Sequence, residues 1–197
     1  MVLAGVLFVK MKRVSVHGHE VHMLPLSENS RAKEPYSVQA YEHPVDMRVT
    51  IGLGGSVFAG EDLDVEFLRK AADVFRELRS QGHEILVVVG GGKSARKYIE
   101  AARELGASDK DCDEVGISVT RLNARLLIMA LGDLAEPRPV ETFERAIRVM
   151  LKKKIPIMGG TFPGQTTDAV AAGLANSSMS ELLIFFVDVG GIYTSDP

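Results

Sequence analysis

The stretch EILVVVGGGKSARKYI, Glu84 to Ile99, decides how the chain folds. Ile85 to Val89 form an apolar run with no polar alternation, rich in β-branched residues, as in a strand buried on both faces of a parallel sheet. Three glycines, Gly90 to Gly92, break the run. A helical pattern starts at once, with Ala95, Tyr98, Ile99, Ala102 and Leu105 on one face and Gly106 as its stop. Strand, glycine turn and helix in direct succession make one unit of a parallel α/β fold.

Working outward, the same unit recurs. Upstream, MRVTIGLGGSV from Met47 is a short apolar strand running into glycines. The helix DVEFLRKAADVFRELRSQG follows, with Asp64 as N-cap, Phe67, Leu68, Ala71, Phe75 and Leu78 inward, and Gly82 past its end. Downstream, GISVTRLNARLLIMALG reads as a third helix and RPV as a short strand. ETFERAIRVMLKKK is a fourth helix with Phe143, Ala146, Ile147 and Met150 inward. IPIMGG is a strand, TTDAVAAGLANSS a small-residue helix, and ELLIFFVDV another buried strand. The pattern predicts a mostly parallel sheet with helices on both faces.

The chain of 197 residues is 46% apolar, enough for a sizeable core in one domain with an appendage. Its 23 basic and 26 acidic residues leave a net charge of −3. No basic stripe marks a nucleic-acid surface. The single cysteine, Cys112, excludes an intrachain disulfide and suits a reducing cytoplasm. The opening MVLAGVLFVKMKR carries its charges after the apolar run, the reverse of an export signal, so a soluble cytoplasmic protein is expected. Residues 1–46 hold four of the five histidines with no sustained period, and are expected to be an irregular extension before a folded unit spanning 47–197. Met47, at the head of that unit, is read as a candidate alternative initiator. Within the extension, HGHEVH misses the metal-binding H-E-x-x-H spacing by one residue, and a solvated tail is the expected role.

Three strands end in glycine, at Gly54 and Gly55, at Gly90 to Gly92, and at Gly159 and Gly160. Ligands of open parallel sheets bind beyond the carboxyl ends of the strands, where glycine lets backbone N–H groups approach an anion and the next helix presents its positive end. Three such loops on one edge predict a ligand with more than one phosphate. Neither common phosphate fingerprint fits: the first glycine of G-x-x-x-x-G-K-[ST] would fall on Val87, and Val57 stands at the third glycine of G-x-G-x-x-G. Lys93, Arg96 and Lys97 crowd the first turns of a helix, where cations are unfavourable unless an anion is bound. Arg96, one turn past the glycines, is placed to fork onto phosphate oxygens. Thr166 or Thr167 is expected to cap the helix near Asp168.

Taken in order, IGLGGSV, VVVGGGKSARKYI, VGISVTRLNARLLI, MGGTFPGQTTDAVAA and GGIYTSDP resemble the amino-acid kinase superfamily, and within it the archaeal-type uridylate (UMP) kinases. The resemblance covers Met47 to Pro197. It implies a three-layer α/β/α sandwich, transfer of the ATP γ-phosphate to UMP with Mg²⁺, and assembly as a homo-oligomer, a hexamer in most relatives. By position it implies Gly55, Ser56, Gly92, Arg96, Tyr193 and Asp196 as ATP contacts. Gly91 resembles a UMP contact, and Asp113 the acid that holds the UMP ribose. Thr161, Phe162, Pro163, Gly164, Gln165, Thr166 and Thr167 match the loop that wraps UMP. Asp168 and Arg96 take the catalytic positions, Asp168 as organiser of the transferring phosphate. Phosphoryl transfer asks for positioning and charge neutralisation, so a site of glycine amides, cations and Mg²⁺ suffices without a nucleophile or base.

The chain departs from the family in two places. Val187, Asp188 and Gly190 replace the usual Thr, Asn and Asp before the tyrosine, and Gly52 stands where many superfamily members carry a lysine, leaving Lys93 or Lys97 to supply charge. Relatives also continue beyond the Asp-Pro, so a truncated product with a bare sheet edge and an incomplete ATP pocket is expected. The alternatives are another small-molecule kinase of the superfamily and a noncatalytic UMP-binding remnant.

Overall fold

The computed structural model describes residues 46–187, together with the backbone of three strands before them: β1 (Gly5–Lys10), β2 (Lys12–Val16) and β3 (His19–Met23). Four further strands, β4 (Arg48–Leu53), β5 (Glu84–Val89), β6 (Ile157–Met158) and β7 (Leu182–Val187), run parallel in the order β7-β4-β5-β6. Register sets Arg48 opposite Glu84 and Leu53 opposite Val89, so β4 and β5 end level with each other.

Alternate residues of the central strands serve the two faces. Val49, Ile51, Leu53, Ile85, Val87 and Val89 point to one side, where α1 (Val65–Ser80) and α3 (Asp109–Leu131) cover them. Leu86, Val88, Leu183 and Phe185 point to the other, under α4 (Phe143–Leu151) and α5 (Thr167–Ser178). This is the α/β/α sandwich. Ile85 to Val89 are all at most 1% exposed, and each contributes about 2 kcal/mol of burial relative to an exposed position. Local signals agree with this layout. Asp64 caps α1 by accepting from the Phe67 N–H at 2.8 Å, and Gly82 turns the chain back with φ +97°.

Several elements differ from their sequence reading. The third helix begins at Asp109, well before Gly116, because Ser108 and Asp111 close a capping box. By length and composition α3 could cross a membrane, but Val119, Ala124, Leu127, Ile128 and Leu131 bury it in the core. The expected RPV strand reduces to one bridge, Val140 to Met158, and β6 to two residues. Pro139 and Pro156 flank these pairings, and a proline has no N–H for a ladder. On α2 (Gly92–Glu104) Tyr98 is 61% exposed, and Leu105 just past its end is 88% exposed, because the face that turns inward carries Ala95, Ile99 and Ala102.

The first 46 residues, read as irregular, contain the three early strands. β1 pairs antiparallel with β7 from Gly5 opposite Val187 to Lys10 opposite Leu182, so the edge of β7, expected to be bare, carries a strand. A strand of six residues is too short to show a period yet long enough to satisfy an open ladder. β2 and β3 pair with each other, which places His19 and His22 in a hairpin; His17 lies outside the described residues.

At the amino ends of the strands Arg48 acts as a clamp. Its Nε and Nη2 donate to Glu84 Oε2 at 2.9 and 2.7 Å, and its Nη1 donates to the Ser178 carbonyl at the end of α5. Beneath it Thr50, Ser180 and Ser178, all buried, link their hydroxyls at 2.8 and 2.9 Å. The buried hydroxyls of Thr50, Ser178 and Ser180 are thereby satisfied at the end of the sheet away from the glycines.

Candidate active site

A cleft of about 510 Å³ opens beyond the carboxyl ends of β4, β5 and β6, where the three glycine loops meet. It gathers Gly55 and Ser56 from the first loop, Gly91, Gly92 and Arg96 from the second, and Asp113 from α3. The third loop brings Phe162, Gln165, Thr166, Thr167 and Asp168. Thr161, Pro163 and Gly164 belong to that loop but do not line the cavity. Tyr193 and Asp196 lie outside the described residues, as do Asp188 and Gly190; Val187 lines the cleft.

The first two loops are stacked backbone on backbone. A Cβ on Gly55 would stand 2.7 Å from the Gly90 carbonyl carbon and closer still to Gly91 and Gly92. The glycines therefore serve close packing of two chain segments as well as any approach to an anion. The Gly90 N–H donates to the Leu53 carbonyl at 2.8 Å and the Lys93 N–H to the Ala59 carbonyl at 3.0 Å, which fixes the second loop against the first. From there α2 starts, its amino end at the cavity.

Lys93 and Lys97 turn away from the role expected of them. Both pair with Glu61, at 3.5 and 2.6 Å, and neither lines the cleft. The Lys97 hydrogen bond, then its charge and that of Lys93, hold the exposed Glu61 carboxyl below the usual range. Among the described residues Arg96 is the cation that lines the cavity. Nor does the first strand have room for a lysine: a Cβ on Gly52 would meet the ring of Phe185 at 2.5 Å, so the β7 aromatic occupies that space.

The third loop is held from α3. Thr120 Oγ1 accepts from the Gly160 N–H at 2.7 Å and donates to the Ile117 carbonyl. Arg121 donates from Nε to the Gly160 carbonyl and from Nη2 to the Thr161 carbonyl, both at 3.2 Å, while Nη1 pairs with Glu141 at 3.1 Å. At the loop's tip the Gly164 N–H donates to Asp113 Oδ2 at 2.8 Å, and Thr161 Oγ1 donates to Gln165 Oε1 at 3.0 Å. Thr166 Oγ1 then caps α5 by accepting from the Ala169 N–H at 3.1 Å. Asp168 follows in the first turn, open to solvent through the cleft mouth. Loss of hydration to the cleft walls still raises its carboxyl above the ordinary aspartate value.

Sequence reasoning singled out the segment VGISVTRLNARLLI but gave no role to Thr120, Arg121 or Asn123. Asn123 Nδ2 donates to the Gly90 and Gly91 carbonyls at 3.0 and 3.2 Å. The available signal was two polar residues three apart on a helix face that otherwise buries Val119, Ala124 and Leu127.

This arrangement can hold a phosphorylated ligand with backbone amides and one guanidinium, facing a loop rich in hydroxyls and an acidic side chain. Comparison with known proteins agrees with the fold. The model of the amino acid kinase family matches residues 47–197. A uridylate kinase of Methanocaldococcus jannaschii is 49% identical over 152 residues, covering 77% of this chain and 67% of the relative. One from Thermococcus kodakarensis is 50% identical over 151 residues, with the same two shares. The chain thus spans about two thirds of the length of these relatives. The crystal structure of uridylate kinase from Archaeoglobus fulgidus superposes with a TM-score of 0.63 at 45% identity, over 68% of this chain and 60% of that one. The chain belongs to the amino acid kinase family and, within it, groups with the uridylate kinases.

Proposed function

We propose that the chain is a uridylate kinase, a phosphotransferase that moves the γ-phosphate of ATP to UMP and releases UDP and ADP. The observation that carries this reading is convergence: Arg96 of α2, Asp113 of α3, and Phe162, Gln165, Thr166, Thr167 and Asp168 of the third loop border one cleft with two glycine loops. UMP occupies the side of the third loop and Asp113, with Gly91 beside it. The phosphates of ATP lie along Gly55, Ser56, Gly92 and Arg96, with Tyr193 and Asp196 as further ATP contacts. Arg96 neutralises charge on the transferring group, and Asp168, at the amino end of α5, orients it.

Mg²⁺ accompanies ATP in this reading. Asp168, whose carboxylate borders the cleft, would be the side chain to help hold the ion beside the nucleotide phosphates. The metal supplies neutralisation of phosphate charge. The protein's share is to align the groups and exclude water. A cytoplasmic setting suits the free, buried Cys112, and a homo-oligomer, a hexamer, is the assembly we infer from the family.

The test is a panel of acceptors incubated with ATP and Mg²⁺, with UMP expected to be the preferred substrate. Phosphorylation of isopentenyl phosphate or an amino acid without turnover of UMP would instead identify another kinase of the family. UMP affinity by calorimetry with no UDP formed would mark a binding remnant.

A further inference from the structure

One turn of α3 touches both halves of the cleft. Thr120, 6% exposed, accepts from the Gly160 N–H at 2.7 Å, and Asn123, 3% exposed, gives both Nδ2 hydrogens to Gly90 and Gly91 carbonyls. The third loop has no slack against the helix, and the second lies in van der Waals contact with it. A Cβ on Gly159 would lie 2.6 Å from Thr120 Oγ1 and 2.8 Å from the Arg121 nitrogen, and one on Gly91 would lie 3.5 Å from Thr120 Cγ2. The helix therefore sets where both loops stand.

The hydrogen bonds also set which way the loop peptides face. In a trans peptide the C=O and the following N–H point in opposite directions. The Gly90 carbonyl, held toward Asn123, turns the Gly91 N–H away from α3; the Gly91 carbonyl is shared by Asn123 and the Ala95 N–H of α2 at 3.3 Å, and both glycines line the cavity. On the other loop, Thr120 and Arg121 take up the N–H and C=O of Gly160, which anchors the loop's base while Asp113 holds its tip. A buried carboxamide and a buried hydroxyl on one apolar helix face are expensive to bury unless bonded, and here the bonds go to the ligand loops.

We infer that Thr120 and Asn123 are positioning residues, Thr120 for the UMP loop and Asn123 for the second glycine loop, whose Gly91 borders UMP and whose Gly92 borders the ATP phosphates. The inference rests on the reading of the cleft as a uridylate kinase site. Neither side chain needs to touch the reacting atoms. Each fixes a backbone segment that does.

The experiment uses the full chain and its variants Thr120→Val, Thr120→Ser and Asn123→Ala. Affinities for UMP and for a non-hydrolysable ATP analogue are measured separately by calorimetry, with melting temperatures alongside. Thr120→Val, which keeps the volume and loses the hydroxyl, is expected to weaken UMP about tenfold, the size of one lost hydrogen bond, and Thr120→Ser to restore it. Asn123→Ala is expected to weaken the ATP analogue by about tenfold or more and to weaken UMP as well, through Gly91, whereas Thr120→Val leaves the analogue within about twofold. If the valine variant does not fold, Thr120→Ala makes the same comparison. Variants that melt earlier but keep both affinities would overturn the inference and leave a scaffold role, as would wild-type UMP binding without affinity for the ATP analogue in the case of Asn123. A wild-type chain that does not bind UMP would instead overturn the functional reading, and this inference with it.

Discussion

The Gly164 N–H donates to Asp113 Oδ2 at 2.8 Å, joining the tip of the third loop to α3 across 51 positions of sequence. One carboxylate oxygen is thus committed to shaping the loop, and Asp113 borders the cleft with the rest of its side chain. Asp113→Ala removes a charged acceptor, and UMP affinity should fall about 10- to 100-fold, the range of a hydrogen bond to an ionised group. Asp113→Asn keeps an acceptor oxygen and should lose less. Calorimetry measures the affinity, and amide exchange at Gly164 should quicken in the alanine variant. Unchanged UMP binding would remove Asp113 from the site.

Asp168 predicts a trade of stability against activity. Burial raises its carboxyl, so between its unfolded and folded values the native state binds more protons than the unfolded one, and stability falls as pH rises through that window. Above the window the penalty persists in full. Asp168→Asn removes it, so the variant should melt at a higher temperature than wild type near neutral pH. The advantage should close as pH drops below the ordinary aspartate range. UDP formation should fall by about 10²-fold or more, the loss typical of a group acting on transition-state charge. A variant that melts lower at neutral pH would contradict the desolvation argument.

Gly55→Ala tests the contact between the first two loops. Its Cβ would meet main-chain atoms of Gly90, Gly91 and Gly92, none of which can rotate aside. The cost should be about 3 kcal/mol, at the upper end for overpacking. Gly60→Ala is the control, since its nearest neighbour would be the Asp62 carbonyl oxygen at 3.9 Å. Urea titration should separate the two variants clearly. Equal stabilities would mean that the loops are free to part.

At the other end of the sheet, Arg48→Met should destabilise the fold by about 2 kcal/mol, because Glu84 and the Ser178 carbonyl lose their donor in a half-buried setting. Desolvation pushes the Glu84 carboxyl up, but hydrogen bonds and charge from Arg48, then Lys153, outweigh it and hold the group below its usual value. A lowered carboxyl contributes stability above its unfolded value and loses it as pH falls through the folded one. Wild type should therefore lose its margin over Arg48→Met in acid. Urea midpoints measured from neutral pH downward check this, and a constant margin would refute the coupling to Glu84.

The parallel sheet was legible because Ile85 to Val89 have no polar residue among them and glycines follow directly. The cleft was legible as far as glycines and caps reach: the glycine loops meet at one edge, and Asp64 and Thr166 cap as their residue types predict. What was not legible depends on distance in the chain. Glu61 claims Lys93 and Lys97 from the other side of α1 and β5 in the chain, a pairing no local pattern gives, and the Phe185 ring fills the space beside Gly52 only because β7 lies next to β4. Thr120 and Asn123 sit on a helix face that hydrophobic periodicity reads as core. Their purpose appears only once the loops they hold are in place.

Where Gly55 lies against Gly90 to Gly92, the wall of the site consists of atoms common to every amino acid. Selection on such a seam acts through what each position excludes, and there is no side chain between hydrogen and methyl to serve as an intermediate. Affinity can be tuned by degrees through Phe162 or Gln165, whose side chains project beside the cavity. At the seam itself, variation is all or none, and an inactive descendant should show its first lesion there as a folding defect before any change in nucleotide preference.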